Sequence, residues 1–253
     1  MMKNDLHQIF EDLRCDIDLP DTPYRARHFA YLVNHKQRYI SDIGFIAKHY
    51  RSGRILEIGS HPYHLTYAMK RLGYDVIGLD IDPSRYGHFI KKHDLSIITC
   101  DIETEPIPFG DDAFQLILFN EVFEHLRMDP IKTLIEINRV LQPGGIMILT
   151  TPNLYAVHRI LLFLLGRGIK DPYGAFKQMH DIGHMGHVRE YSAREVSRFL
   201  INTNYQIVDI HYRTYKYFIK GIWGKLANLV YLVTPRPFSP YLVLIARKPD
   251  RPE

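Results

Sequence analysis

Two apolar runs, each ending in a carboxylate, hold the clearest chemical signal in this 253-residue chain. The first is Ile55-Leu-Glu-Ile58, which carries Glu57 and opens into Gly59-Ser60-His61-Pro62-Tyr63. The second is Val76-Ile-Gly-Leu-Asp80, one strand–helix–strand unit later. In a doubly wound sheet two such tips sit side by side at the switch point, where nucleotide-like ligands bind. A dinucleotide fingerprint would need a glycine where His61 stands, so a pyrophosphate ligand and nicotinamide dehydrogenase chemistry are disfavoured.

A second group is Glu121, Glu124 and His125. On a helix, positions i, i+3 and i+4 share a face. Two carboxylates and a neutral imidazole can bind a divalent metal. Without metal, His125 or His187 is a candidate general base, or both only position other groups.

The elements that must hold these residues alternate regularly. Residues 1–50 read as helical, with apolar positions at 3–4 spacing from Phe29 to Ala47, and predict a cover over a sheet face or over the site. Strand 54–58 leads to helix 62–72, stopped by Gly73. Strand 75–80, a short helix from Pro83, strand 95–99, a polar loop at 103–112 and strand 114–119 follow. Helix 129–141 stops at Pro143-Gly144-Gly145, before strand 146–151. Such alternation predicts an α/β doubly wound, mostly parallel sheet with helices on both faces. After Asn153 come an apolar helix at 154–166, a Gly- and His-rich loop at 167–190, helix 192–203 and strand 205–212. An aromatic and basic insertion at 213–237 precedes a last strand at 241–246. One domain is expected overall: a helical cover at 1–50, a cofactor-binding half at 51–153 and a substrate-side half at 154–253.

Apolar residues make up 46% of the chain, enough for a sizeable core, and the formal charge of +4 is a mild bias. No long basic stripe points to nucleic acid. Cys15 and Cys100 fit neither a disulfide framework nor a metal spacing. The N-terminus carries no signal-peptide pattern, and no apolar run reaches the ~18 residues of a spanning helix. A cytoplasmic location is the simplest expectation, with peripheral contact at the inner membrane face allowed by the aromatic–lysine mixture from Tyr215.

Five segments together resemble the class I S-adenosylmethionine-dependent methyltransferases: 55–59, 76–80, 100–102, 114–126 and 139–145, which read Ile-Leu-Glu-Ile-Gly, Val-Ile-Gly-Leu-Asp, Cys-Asp-Ile, Phe-Gln-Leu-Ile-Leu-Phe-Asn-Glu-Val-Phe-Glu-His-Leu and Arg-Val-Leu-Gln-Pro-Gly-Gly. The resemblance implies a Rossmann-like seven-stranded sheet and S-adenosyl-L-methionine as cofactor. It implies that Glu57 attracts the cofactor's ammonium and that Asp80 accepts both ribose hydroxyls. Asp101 would accept from the adenine amino group, with Ile81 and Ile102 on the ring faces. Gly59, Ser60, His61 and Asn120 would border the methionine part. The family's usual Gly-x-Gly-x-Gly is here Gly59-Ser60-His61-Pro62-Tyr63, so an altered but ordered loop is expected. Gln115 also replaces the usual aspartate.

The stretch 120–126 further resembles ubiquinone-type O-methyltransferases and small-RNA 2′-O-methyltransferases. The latter carry a downstream histidine, for which His187 is the equivalent, so that resemblance implies a metal set of Glu121, Glu124, His125 and His187. A looser resemblance ties the Thr-Pro-Asn, Gly-His-Val-Arg-Glu-Tyr-Ser and terminal Ala-Arg-Lys-Pro segments to methyltransferases of bacterial cell-surface saccharide synthesis. The expected function is O-methylation of a small molecule, saccharide or lipid-linked glycan. The alternatives are a metal-assisted RNA 2′-O-methyltransferase and a non-catalytic protein that kept the fold.

Overall fold

The computed structural model describes residues 2–16, 23–168, 171–182, 186–215 and 229–251. Seven runs form one sheet: β1 (Ile55–Ile58), β2 (Val76–Asp80), β3 (Ile97–Thr99), β4 (Phe114–Asn120), β5 (Leu141–Pro152), β6 (Gln206–Arg213) and β7 (Tyr241–Arg247). Their order is β3-β2-β1-β4-β5-β7-β6. Every pairing is parallel except those of β7, which runs antiparallel to β5 and β6. Strands 51–153 and strands 154–253 thus complete a single sheet, as expected for a Rossmann-like methyltransferase fold.

β4 shows why both faces are covered. Leu116 and Leu118 belong to one core and Ile117 and Phe119 to the other, all fully buried. A strand apolar on both faces is stable only between two helical layers. One layer contains α1 (Met2–Asp16), α2 (Pro23–His49), α3 (His64–Arg71) and α4 (Gly87–Lys92); the other contains α5 (Pro130–Val140) and α8 (Ala193–Asn202). Local signals start the outer helices. Asp129 accepts from the amides of Ile131 and Lys132, with Pro130 at the first position. Ser192 and Glu195 form a reciprocal capping box. The N-terminal cover packs through Leu32, Tyr39, Ile43 and Ile46 of α2.

Four expectations need correction. Helix α3 starts at His64, not at 62, because Tyr63 takes a left-handed conformation (φ 70) that no helix continues. Residues 167–190 are not all loop: α7 (Pro172–Ile182) lies within them. Its start signal, Asp171-Pro172, and its Tyr173, Phe176, Met179 spacing are masked by neighbouring glycine and histidine. β5 begins at Leu141 rather than at 146 and runs through Pro-Gly-Gly with a register shift opposite Phe114 and Leu116, so the expected helix stop is the bulged start of a strand. Residues 121–126 are not a helix, since Glu121 has φ 56 and only Phe123–His125 make a single tight turn. The apolar helix expected at 154–166 is α6 (Val157–Leu164). Of the insertion expected at 213–237, residues 216–228 lie outside the described residues. Among the described residues no helix is long and apolar enough to cross a membrane.

Candidate functional site

The strand order reverses between β1 and β4, and the crevice beyond their carboxyl ends is the expected ligand position in such sheets. There the chain forms a cleft that is partly open to solvent. Glu57, Gly59, Ser60 and His61 reach it from β1 and its loop, and Asn120 and Glu121 from the end of β4. The roof is α2, which contributes Tyr31, Arg38, Tyr39 and Asp42. Steps of seven, one and three residues keep these four on one helical face. Apolar spacing alone marks α2 as a cover and does not single out Arg38 or Asp42. The signal was there: polar groups at helical spacing beside the buried Leu32, Ile43 and Ile46.

The loop after β1 is built around Gly59. Its φ is 69, and a Cβ there would lie 2.3 Å from Val122 Cγ2, so only glycine fits. Asp80 then fixes the loop to β2. Its Oδ2 accepts the His61 amide at 3.1 Å and its Oδ1 the Asp82 amide at 3.1 Å. Tyr63 occupies the last glycine position of the family pattern and keeps the left-handed conformation that glycine would adopt. Its ring is fully buried, 5.8 Å from Tyr86, while His61 stands in the cleft wall. Replacement of the glycines therefore leaves the cleft open.

Ile81 is 59% exposed beside Asp80, an apolar side chain held in water at a strand tip. The tips of β2 and β3 touch, since the Cys100 amide donates to the Asp80 carbonyl at 3.0 Å. Asp101 and Ile102 follow, half-buried, and Asp101 Oδ1 accepts the Glu103 amide in its own turn at 3.1 Å. These three side chains border the β2–β3 end and are not among the residues lining the cleft.

Several buried polar atoms of the cleft have no partner: Asn120 Oδ1 and Nδ2, Asp42 Oδ2 and Arg38 Nε. An unpaired buried polar group is costly, so a polar ligand is the natural complement. Acceptors and a guanidinium face one space, as an amino-acid zwitterion requires. The residues present thus fit the methionine end of S-adenosylmethionine. Arg38 Nη2 donates to Tyr31 Oη at 3.2 Å and Nη1 lies 4.0 Å from Glu121 Oε2. Arg213 at the end of β6 holds Asp42 from behind, stacked over Phe45 and Tyr215.

Glu57 is 5% exposed, and burial pushes its carboxyl up to about 8 against the 2.5 Å hydrogen bond donated by Thr66. The folded chain therefore holds a proton that the unfolded chain has lost above about 4.5. Stability from this group is present below that value and declines as pH rises toward about 8. Glu57→Gln removes the decline. Between pH 6 and pH 8 the parent should lose about 2 kcal/mol more unfolding free energy than the variant, read by urea titration at both pH values.

A second cluster lies past Glu121. Glu124 is fully buried; its Oε2 accepts from Thr151 at 3.0 Å and its Oε1 lies 3.8 Å from His187 Nε2. Burial, then the nearby Glu121 charge, holds the Glu124 carboxyl well above the ordinary range. His125 Nδ1 donates to the Gly186 carbonyl at 2.8 Å, which leaves Nε2 as its basic nitrogen. The rings of His125 and His187 meet edge to face at 4.8 Å. One donor atom each from Glu124, His125 and His187 fall within 4.8 Å of one another. Glu121 does not join them: with φ 56 its side chain turns to Thr150 and Arg38. The shared helical face expected from its spacing is lost with the helix.

A family model described as a methyltransferase domain matches residues 27–210. Relatives include ubiquinone biosynthesis O-methyltransferases of Cereibacter sphaeroides and Roseobacter denitrificans, each 33% identical over 103 residues. The match covers 40% of this chain and 41% of those proteins, less than half of either. A methyltransferase structure from Archaeoglobus fulgidus superposes with a TM-score of 0.59 at 16% identity, covering 87% of this chain and all of that one. One from Thermotoga maritima gives 0.60 at 15% identity, covering 95% and 99%. These likenesses show the fold. With the strand order, the switch-point cleft and a family match spanning most of its length, the chain belongs to the class I S-adenosylmethionine-dependent methyltransferase family.

Proposed function

We propose that this protein methylates a hydroxyl oxygen of a small molecule with S-adenosylmethionine as donor. The observation that carries the reading is the mixed-charge cleft: Arg38, Asp42, Glu57 and the unpaired Asn120 amide around one space at the switch point. When bound, the cofactor supplies a methyl group already activated on a sulfonium. Arg38 pairs with its carboxylate, Asp42 attracts its ammonium, and Glu57, protonated while no cation faces it, gives up that proton beside the ammonium and then pairs with it. Asp80 accepts from the ribose hydroxyls while keeping the loop at His61 in place. Asp101 accepts from the adenine amino group, and Ile81 and Ile102 cover the ring. Little remains for the protein beyond alignment, exclusion of water and removal of one proton from the acceptor.

His125 is the better-oriented proton acceptor, because the Gly186 carbonyl fixes its tautomer. His187, between Glu124 and Glu190, is the second. The named relatives act in ubiquinone biosynthesis as O-methyltransferases, which supports oxygen as the acceptor atom. Hydroxylated aromatics, saccharides and lipid-linked glycans are the acceptor classes to screen. Labelled S-adenosylmethionine should pass its methyl to such a compound as an ether. Label arriving on nitrogen, or no transfer to any component of a cell extract by protein that binds the cofactor, overturns the reading.

One observation favours a metal-assisted variant: the three donors of Glu124, His125 and His187 within 4.8 Å. Two imidazoles and a carboxylate fit a divalent ion with open positions for substrate oxygens. Those residues would hold the ion, and its chemistry would be to lower the acceptor hydroxyl pKa. Protein dialysed against a zinc- or manganese-containing buffer should then retain about one equivalent, and His187→Ala should lose it. Equal metal content in parent and variant, or activity indifferent to chelator, leaves the metal-free reading.

A further inference from the structure

The loop at residues 59–63 lacks the later glycines of the family pattern, yet it leaves the cleft open. Something other than glycine must hold its path. Two of its members are now aromatic rings, and both meet one residue. Tyr86, buried at the end of the tight turn Pro83–Tyr86 after β2, lies 4.9 Å from the His61 ring and 5.8 Å from the Tyr63 ring. Another ring against Tyr86 comes from the α2 roof. His28 stands 4.9 Å from Tyr86 and 4.2 Å from His64, the first residue of α3. Such ring contacts fix position as well as burying area.

His28 also reaches the loop backbone. Its Nε2 donates to the Pro62 carbonyl at 3.0 Å. A carbonyl oxygen only accepts, so the imidazole proton sits on Nε2. Nδ1 has no partner, and burial pushes the imidazole down to about 4, so the ring is neutral at pH 7. His28 and Pro62 are both buried. A buried carbonyl stripped of its donor is costly, so without His28 the loop would have to shift to satisfy it. One residue earlier, Asp80 accepts the His61 amide. The loop is thus held on two sides, by β2 through Asp80 and by α2 through His28.

We infer that His28 is a positioning residue for the cofactor: through the Pro62 carbonyl and the Tyr86 ring it holds Gly59, Ser60 and His61 where they meet the methionine end. Its task differs from that of Arg38 and Asp42, which line the cleft themselves. His28 is not among the lining residues and acts only through the loop. The inference rests on placing the methionine end of the cofactor at this loop, and it holds whatever the acceptor proves to be.

Calorimetry of the full chain with two ligands tests it. S-adenosylhomocysteine carries the amino acid; 5′-methylthioadenosine keeps the adenine, ribose and sulfur and lacks it. His28→Leu removes the donor at similar volume. It should weaken S-adenosylhomocysteine about five- to tenfold, the size of one hydrogen bond, and 5′-methylthioadenosine less than about twofold. His28→Gln, whose amide can donate to Pro62, should return S-adenosylhomocysteine to within about threefold of the parent. Should His28→Leu not fold, His28→Phe, which keeps a ring on Tyr86 and cannot donate, is titrated in its place. Asp80→Ala is the control, because both ligands carry the ribose and both should weaken. If Asp80→Ala binds both as the parent does, the cofactor does not lie at this loop and the inference falls with that placement. If Asp80→Ala weakens both while the His28 variant weakens neither, or weakens the two alike, the placement stands and the positioning role is overturned.

Discussion

Asp80→Ala is expected to weaken binding of S-adenosylhomocysteine by more than tenfold. Two charge-assisted hydrogen bonds to ribose hydroxyls contribute about 1.5–3 kcal/mol each at most, so a loss of about 2–4 kcal/mol is the working range, roughly 30- to 700-fold. The carboxylate has a second task, since Oδ2 holds the His61 amide and Oδ1 the Asp82 amide. The alanine variant therefore also frees the loop that carries Gly59 and Ser60. Asp80→Asn separates the two tasks: it keeps the volume but not the charge and retains one accepting oxygen, so its loss should be intermediate. The ribose contact itself is isolated by a ligand lacking the 2′-hydroxyl. Calorimetry should show the parent losing affinity for that analogue and Asp80→Ala losing little more. Equal titration curves for parent and Asp80→Ala with S-adenosylhomocysteine would sink the assignment.

What was legible in the sequence is what depends on period and punctuation. β1, β2 and β4 are apolar runs ended by polar residues, and their tips could be placed from composition alone. Gly59 and Asp80 followed, because a tip before a turn has few other uses. Contacts between residues far apart in sequence were not legible. Arg38 and Asp42 lie in a helix whose apolar stripe dominates its pattern, and only the folded chain brings them over β1 and β4. Glu121 failed for a different reason. Its spacing from Glu124 and His125 suits a helix, but the chain turns through a left-handed residue at that point, and one dihedral redirects the side chain to Thr150. Tyr63 reverses that lesson: the residue type argued against a glycine-like conformation, and the backbone adopts one all the same. Burial of its ring on Tyr86 offsets a local cost of about 1–2 kcal/mol.

Arg38 is where this new information has its largest expected consequence. Its guanidinium is at least nine-tenths buried, lies 5.3 Å from the Tyr39 ring centre and 5.8 Å from that of Tyr31, and keeps Nε without a partner. A cation so placed is desolvated and held, and a carboxylate arriving at it makes a strong contact. Arg38→Ala should weaken S-adenosylhomocysteine by about 2–3 kcal/mol, roughly 30- to 150-fold. Arg38→Lys should recover part of this, since it restores the charge but not the planar fork. The same substitution removes the cation nearest Glu121 Oε2, whose carboxyl burial already raises, so neutral Glu121 should persist to higher pH in the variant. That secondary effect could mimic a binding loss, and the ligand can be chosen to expose it. The decarboxylated analogue of S-adenosylhomocysteine keeps the ammonium, ribose and adenine but offers Arg38 nothing. If Arg38 holds the cofactor carboxylate, parent and Arg38→Ala should bind this analogue within about threefold of each other, a difference under 1 kcal/mol. A variant that loses both ligands equally would move Arg38 from the cofactor to the architecture of the α2 roof, and the carboxylate would need another partner in the cleft.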